Sequence, residues 1–281
     1  MNSIPIDIET APMRSYHWKP KTRYIPHNMN EEPTTILMAA WRKPGKKIEH
    51  ISVHDFHKRL TYTSVRDDKG VVKKLHDLLM WCAEENVILV YQNGDRFDLP
   101  KINSRVIYHR LKPLPIDQFV TVDTLTNARK MGFDYNRLDF LDRHLHGYDK
   151  GKVDTRGWEM WRDVVEYRAK HDDRLKALNE MIVYNEGDII ALERVFETLR
   201  PHMLQFPNMN HWTGTVDNCP RCGSGQIIYR SKPKIGKTSR SVPHRRASCK
   251  QCGHWFFDKG VMRKKGKDGK PGKPLPKVLV A

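Results

Sequence analysis

Residues 4–12, IPIDIETAP, set two carboxylates two positions apart inside a β-branched run. Side chains alternate across a strand, so Asp7 and Glu9 face one way while Ile6 and Ile8 face the other. Two like charges side by side in a half-buried sheet are costly unless a positive charge sits between them. On this stretch alone two readings stand: an exposed edge strand with solvated acids, or a metal site.

The pattern downstream favours a sheet around that strand. TTILMAAW (34–41) and KIEHISV (47–53) read as two strands joined by a turn at Pro44-Gly45, an antiparallel hairpin after a Pro-, Arg- and His-rich loop over 12–33. Residues 71–85 have the apolar spacing of an amphipathic helix, with Cys82 on the apolar side as a core thiol. NVILVY (86–91) is an all-apolar strand of the kind covered on both faces. Helical pattern runs from Asp98 to Leu111, FVTV (119–122) is a fifth strand, and Asp123 is placed to cap a following helix. Residues 136–146, 156–170 and 173–199 read as helices, and 201–215 as a linker. The order predicts a mixed α/β sheet of five strands flanked by helices, its first strand central.

Two more acids enter this frame. In YQNGDRFDLP (91–100), Asp98 opens a helix at the end of the fourth strand and taken alone reads as an N-cap. In YNEGDII (184–190), Tyr184 and Asp188 lie one turn apart on one helix face; taken alone, they are a half-buried phenol and a solvated acid. Together with Asp7 and Glu9, the four carboxylates cannot all ionise in one place without cations between them. An all-oxygen set suits Mg²⁺ or Mn²⁺. Two such ions about 4 Å apart can hold the attacking and leaving oxygens of a phosphodiester.

The succession DIET, NGDRFD, YNEGD resembles the DEDD superfamily of 3′–5′ exonucleases, which share the ribonuclease H-like fold, over roughly residues 3 to 200. Tyr184 four before Asp188 is similar to the tyrosine branch (DEDDy), which includes proofreading domains of family-B DNA polymerases. The histidine branch carries His five before the last Asp, where this chain has Val183. The stretch VDTLTNARKMGFDYNRLDFLDRHL also looks like stand-alone, phage-type members. The resemblance implies that Asp7 bridges two metals, that Glu9 and Asp188 complete the first metal's shell, and that Asp98 serves the second largely through water. It implies that Tyr184 aims the attacking water; a phenol with its ordinary pKa of about 10 orients water better than it deprotonates it. Thr10, Asn93 and Phe97 would contact the last nucleotides.

The five cysteines fit metal binding better than disulfides, because the N-terminal MNSIPIDIE is not a secretory signal and the expected setting is the reducing cytoplasm (a host's cytoplasm if the chain is viral). CPRC (219–222) and CKQC (249–252), each followed by Gly, resemble a zinc ribbon in which Cys219, Cys222, Cys249 and Cys252 hold one structural Zn²⁺. The competing reading, a pair of redox dithiols, lacks the strand–helix setting such thiols need.

Charge sharpens the partner. The chain carries a net +17, yet residues 211–281 hold 17 Lys and Arg against three Asp, so the body is nearly neutral and the tail strongly basic. That imbalance points to phosphates. Lys232, Lys234, Arg245 and Arg246, with Trp255, suit backbone tracking and base stacking on single strands, although Trp255 could equally be the ribbon's small core.

The resulting expectation has three parts: residues 1–205 as a ribonuclease H-like exonuclease domain, 206–260 as a zinc ribbon, and 261–281 as a basic, disordered tail. The activity is hydrolysis at a 3′ end with release of 5′-mononucleotides, on single-stranded or 3′-ended DNA by preference and RNA as an alternative. The chain is expected to be a monomer without membrane contact, since no apolar run reaches the roughly 18 residues of a span. A nucleic-acid-binding adaptor with a dead nuclease core and a structure-selective endonuclease remain as other readings.

Overall fold

Strand β1 (Ser3–Thr10) buries Ile4, Ile6 and Ile8 and leaves Asp7 and Glu9 half-buried, as side-chain alternation requires. In this computed structural model the described residues are 2–19, 21–147, 156–204, 206–210, 218–231 and 245–258. The chain divides into two compact units, Met1–Leu199 and Arg200–Ala281.

After β1 the chain makes an excursion pinned by two short paired strands, β2 (Arg14–Ser15) and β3 (Asn30–Glu32), before returning as β4 (Ile36–Arg42) and β5 (Ile48–Ser52). Helix α1 (Lys69–Glu84), strand β6 (Ile88–Tyr91), helix α2 (Asp98–Tyr108) and strand β7 (Val120–Asp123) complete the sheet. Four helices follow: α3 (Thr124–Met131), α4 (Leu138–His146), α5 (Trp158–Val165) and α6 (His171–Leu199). The sheet order is β5-β4-β1-β6-β7, with β4 antiparallel and β6 parallel to the central β1. This is the mixed five-stranded sheet the sequence predicts.

Packing follows from the apolar pattern. Six of the seven β4 residues are buried, because α6 covers one face of the strand and α1 the other. Cys82 is 1% exposed within α1's apolar face, and burial pushes its thiol up to about 12, so it is a core residue. Buried charge is paired. Asp68, fully buried ahead of α1, accepts from the Ile36 N–H at 2.9 Å, from Arg105 of α2 at 2.7 Å and from His109, just past the end of α2, at 2.7 Å, which locks α1, α2 and β4 together. On the other face, Arg174 donates to the carbonyls of Val164 and Glu166, and Arg194 and His146 both reach the buried carboxylate of Asp142. These contacts fix α5 and α4 against α6.

Several expectations need adjustment. The loop over 12–33 contains the β2–β3 pair, which two- and three-residue strands are too short to announce by periodicity. The helix expected over 98–111 ends at Tyr108, and the one over 156–170 is confined to Trp158–Val165. Helix α3 was foreshadowed only by its cap, Asp123, which accepts from the Thr126 N–H at 3.1 Å. The expected linker over 201–215 opens with a 3₁₀ turn at Arg200–His202. Residues 261–281 lie outside the described residues.

In the second unit, β8 (Ile227–Tyr229), β9 (Arg245–Cys249) and β10 (Trp255–Asp258) form an antiparallel sheet in the order β10-β9-β8. Among the described residues, no helix is long and apolar enough to cross a membrane.

Candidate active site and cysteine cluster

The carboxylates meet where β1 changes its partners. The parallel ladder from β1 to β6 stops at the Pro5–Val90 pair, so the Ile8 N–H is left to donate to Asp98 Oδ1 at 3.2 Å. Asp98 is the first residue of α2, just past the carboxyl end of β6. This is the edge of an open α/β sheet at which ligands bind, beside a strand that has an antiparallel neighbour on one side and a parallel one on the other. The turn leading into α2 is held by Asn93, whose φ is 68° and whose N–H donates to Asp123 Oδ1 at 3.1 Å. An Asn tolerates that left-handed conformation where a β-branched residue would not.

Asp7 and Glu9 project toward α6, where Asp188 is 5% exposed. One oxygen from each of Asp7, Glu9 and Asp188 lies within 4.8 Å of the others. Asp98 lines the same cleft, of about 430 Å³, together with Tyr184 and Phe97. Burial, with the charge of Asp123 adding, pushes the Asp98 carboxyl up to about 7 despite the Ile8 hydrogen bond, which opposes the shift.

The donor set tests the implied metals directly. Asp7, Glu9, Asp98 and Asp188 offer the cleft carboxylates, the ligand type of hard divalent cations, and Asp7, Glu9 and Asp188 are close enough to share one ion. The residues present therefore fit Mg²⁺ or Mn²⁺.

Two residues at the site escape sequence reasoning. Asn185 Nδ2 donates to Asp7 Oδ2 at 2.5 Å, and Trp161 Nε1 donates to Glu9 Oε2 at 3.2 Å. The Trp161 ring also meets Tyr184 edge-on, with centroids 5.6 Å apart. Asn185 could have been suspected from its place between Tyr184 and Asp188. Trp161 sits 152 residues from Glu9 in sequence, and no local pattern marks it. Leu125, Arg129 and Arg137 also line the cleft. Of the expected nucleotide contacts, Phe97 is at the cleft and 42% exposed. Asn93 shapes the turn through its backbone, and Thr10 sits half-buried at the irregularity that ends the β1–β4 register.

In the second unit, the cysteines of both knuckles converge. The four sulfurs lie within 4.8 Å of one another, with Cys219–Cys252 at 3.7 Å and Cys222–Cys249 at 3.6 Å. A tetrahedron with Zn–S bonds of about 2.3 Å has edges of about 3.8 Å, so the spacing fits one zinc. Gly223 and Gly253, at φ 74° and 73°, close the knuckles by donating their N–H groups to the carbonyls of Cys219 and Cys249. Burial pushes the Cys219 thiol up to about 11, and a bound cation would displace its proton.

Register places Trp255 and Phe257, each 60% exposed, on one face of the ribbon sheet with Arg246 and Ser248. The Arg230 guanidinium lies 5.4 Å from the Trp255 ring centre and its Nε donates to Ser248 Oγ. Trp255 is thus a surface ring and not the ribbon's core. Arg245, on the opposite face, stacks on Tyr229. Lys232 and Lys234 lie outside the described residues.

The family model of the RNase_H superfamily matches residues 40–200, more than half of the chain, and the chain belongs to that superfamily. Its sheet and flanking helices are accordingly ribonuclease H-like, a nuclease fold. No curated protein matches the chain. Among solved structures it is similar to the family B DNA polymerase from the hyperthermophilic archaeon Pyrobaculum calidifontis, at 15% identity and a TM-score of 0.49. That similarity covers 71% of this chain and 24% of the polymerase, so the chain spans about a quarter of the polymerase's length.

The Asp98 environment generates a pH prediction for metal-free protein. A carboxyl raised from 3.8 to about 7 contributes stability that is present below pH 4 and lost as pH rises through 7. In chelator, wild type should lose up to about 4 kcal/mol of unfolding free energy relative to Asp98→Asn between pH 4 and 8. Urea titrations across that range measure it; parallel pH curves for the two proteins would contradict the assigned burial of this acid.

Proposed function

We propose that the chain is a two-metal-ion 3′–5′ exonuclease of the tyrosine branch, which releases 5′-mononucleotides from the 3′ end of DNA or RNA. The observation that carries the reading is the convergence of Asp7, Glu9 and Asp188, with Asp98 and Tyr184 in the same cleft. Residues 1–205 are the exonuclease domain, and 206–260 a zinc ribbon that helps hold the strand. It acts as a cytoplasmic monomer.

Asp7, Glu9, Asp98 and Asp188 would hold two Mg²⁺ or Mn²⁺ ions. When bound, the ions supply charge neutralisation at the scissile phosphodiester and Lewis acidity toward the attacking water. The protein's own groups do the positioning. Tyr184 Oη accepts or donates a hydrogen bond to the water and aims it in line with the terminal phosphorus. Oxygen from water joins the phosphorus, the bond to the 3′ oxygen breaks, and that oxygen leaves with a proton as the new 3′ hydroxyl. The departing nucleotide keeps its 5′-phosphate. Asn185 and Trp161 act through other residues: one holds the Asp7 carboxylate, the other the Glu9 carboxylate and the edge of the Tyr184 ring. Phe97 and Leu125 offer apolar surface to the last bases, and Arg129 offers charge to the phosphates behind them.

In this mechanism Asp7→Ala or Asp188→Ala abolishes magnesium-dependent shortening of a 5′-labelled strand, while Tyr184→Phe costs about 10²-fold in kcat because it deletes one positioning hydrogen bond. Retention of more than a few per cent of activity in either alanine variant would contradict the metal assignment. Products that do not shorten from the 3′ end would point to the endonuclease instead.

For the ribbon, exposed Trp255 and Phe257 beside Arg230 and Arg246 support strand binding. Replacing Lys232, Lys234, Arg245 and Arg246 with Ala, in an inactive Asp7→Asn background, should flatten the dependence of log K on log salt by about 3 units, at 0.7 per lost phosphate contact. An unchanged slope in the salt titration would mean that the ribbon does not track the strand.

A further inference from the structure

The excursion between β1 and β4 is larger than a connection between neighbouring strands needs. Its neck is closed by the Ala11 N–H on the Thr35 carbonyl at 2.8 Å, and by the Tyr16 N–H on the Met29 carbonyl at 2.9 Å. Beyond the neck its aromatic rings point outward. Tyr16 is 64% exposed, Tyr24 74% and Trp18 92%. Burying an aromatic ring contributes to folding, and these rings forgo most of that. Lys19, Lys21 and Arg23 are interleaved with the rings, all exposed, and residues 13–30 contain no acid. The excursion's two acids sit at its base, where Glu31 pairs with Arg14 at 2.9 Å and Glu32 lies 3.9 Å from Arg66. The outer part is therefore cationic and aromatic without a counter-carboxylate of its own.

Its position is equally informative. The excursion leaves β1 three residues after Glu9. Met13, Arg14 and His17 share a hollow of about 450 Å³ with Trp158 and Arg162 of α5, the helix whose Trp161 holds Glu9. His17 also lines a second hollow, of about 260 Å³, with Trp18, Lys19, Lys21 and Tyr24. Two hollows lined by rings and cations thus lie along the arm, the inner one against α5.

We propose that residues 12–33 form a grip for single-stranded nucleic acid, in which Trp18 and Tyr24 stack on unpaired bases and Lys19, Lys21 and Arg23 take the backbone phosphates. The ligand class rests on the nuclease reading. Single strands are favoured over duplex because exposed rings can stack only on bases that are not already paired and stacked. An anionic membrane surface would also attract rings and lysines, but it would not account for the arm's seat against α5, the helix whose Trp161 holds Glu9.

The test uses the full chain carrying Asp7→Asn, so that the bound strand is not cut. Trp18→Ala with Tyr24→Ala should weaken binding of a single-stranded 15-mer oligonucleotide (a length of about 15 spans a typical site) at least about tenfold and leave its salt slope unchanged. Lys19→Ala with Lys21→Ala should instead flatten that slope by about 1.4 units. Affinity for a blunt duplex should fall less than affinity for the single strand. Unchanged single-strand affinity in the ring variant would overturn the proposal. So would a loss that appears only with vesicles of anionic lipid. The cleavage assay on the unaltered chain reads the nuclease assignment separately, so either can fail without the other.

Discussion

Mutual repulsion among carboxylates is the constraint on which the first unit depends. Asp7, Glu9 and Asp188 bring oxygens within 4.8 Å of one another, and two like charges at such a distance in a partly buried setting cost several kcal/mol unless something compensates. The fold holds them there with rigid elements: a central strand, a long helix across it, and a second helix whose first residue is Asp98. Arg174, Arg194 and Asp142 matter for the same reason. They lock α5 and α4 to α6, the helix that carries Asp188. A cluster of this kind is compatible with divalent cations.

Much of this was legible in the chain. Period-two alternation at residues 4–10 assigned Asp7 and Glu9 to one face, and the one-turn spacing of Tyr184 and Asp188 assigned them to one side of a helix; both spacings are set by backbone geometry alone. The all-apolar run at 86–91 marked a strand covered on both faces for the same reason. What escaped was non-local or short. Trp161 reaches Glu9 only because α5 docks on α6, and nothing near residue 161 encodes that docking. The β2–β3 pair is too brief to carry a period. Asn93 reads as a side-chain contact in sequence, whereas the structure uses its backbone conformation to turn the chain toward Asp98.

The two units present the same chemistry in different frames. In the second unit, four convergent cysteines accompany a small sheet with Trp255 and Phe257 on its surface. On the first unit, a pinned excursion leaves Trp18 and Tyr24 on the surface beside lysines. Exposed rings interleaved with cations gain little in folding, and the proposed ligand, with flat faces and negative charge, would account for both.

Anomalous diffraction at the manganese edge, from crystals of the full chain equilibrated with Mn²⁺ and a single-stranded oligonucleotide, tests the metal centre most directly. The account predicts two manganese peaks about 4 Å apart, both within bonding distance of Asp7 and enclosed by Glu9, Asp98 and Asp188. A cleft with the four carboxylates in place and no manganese between them would contradict it.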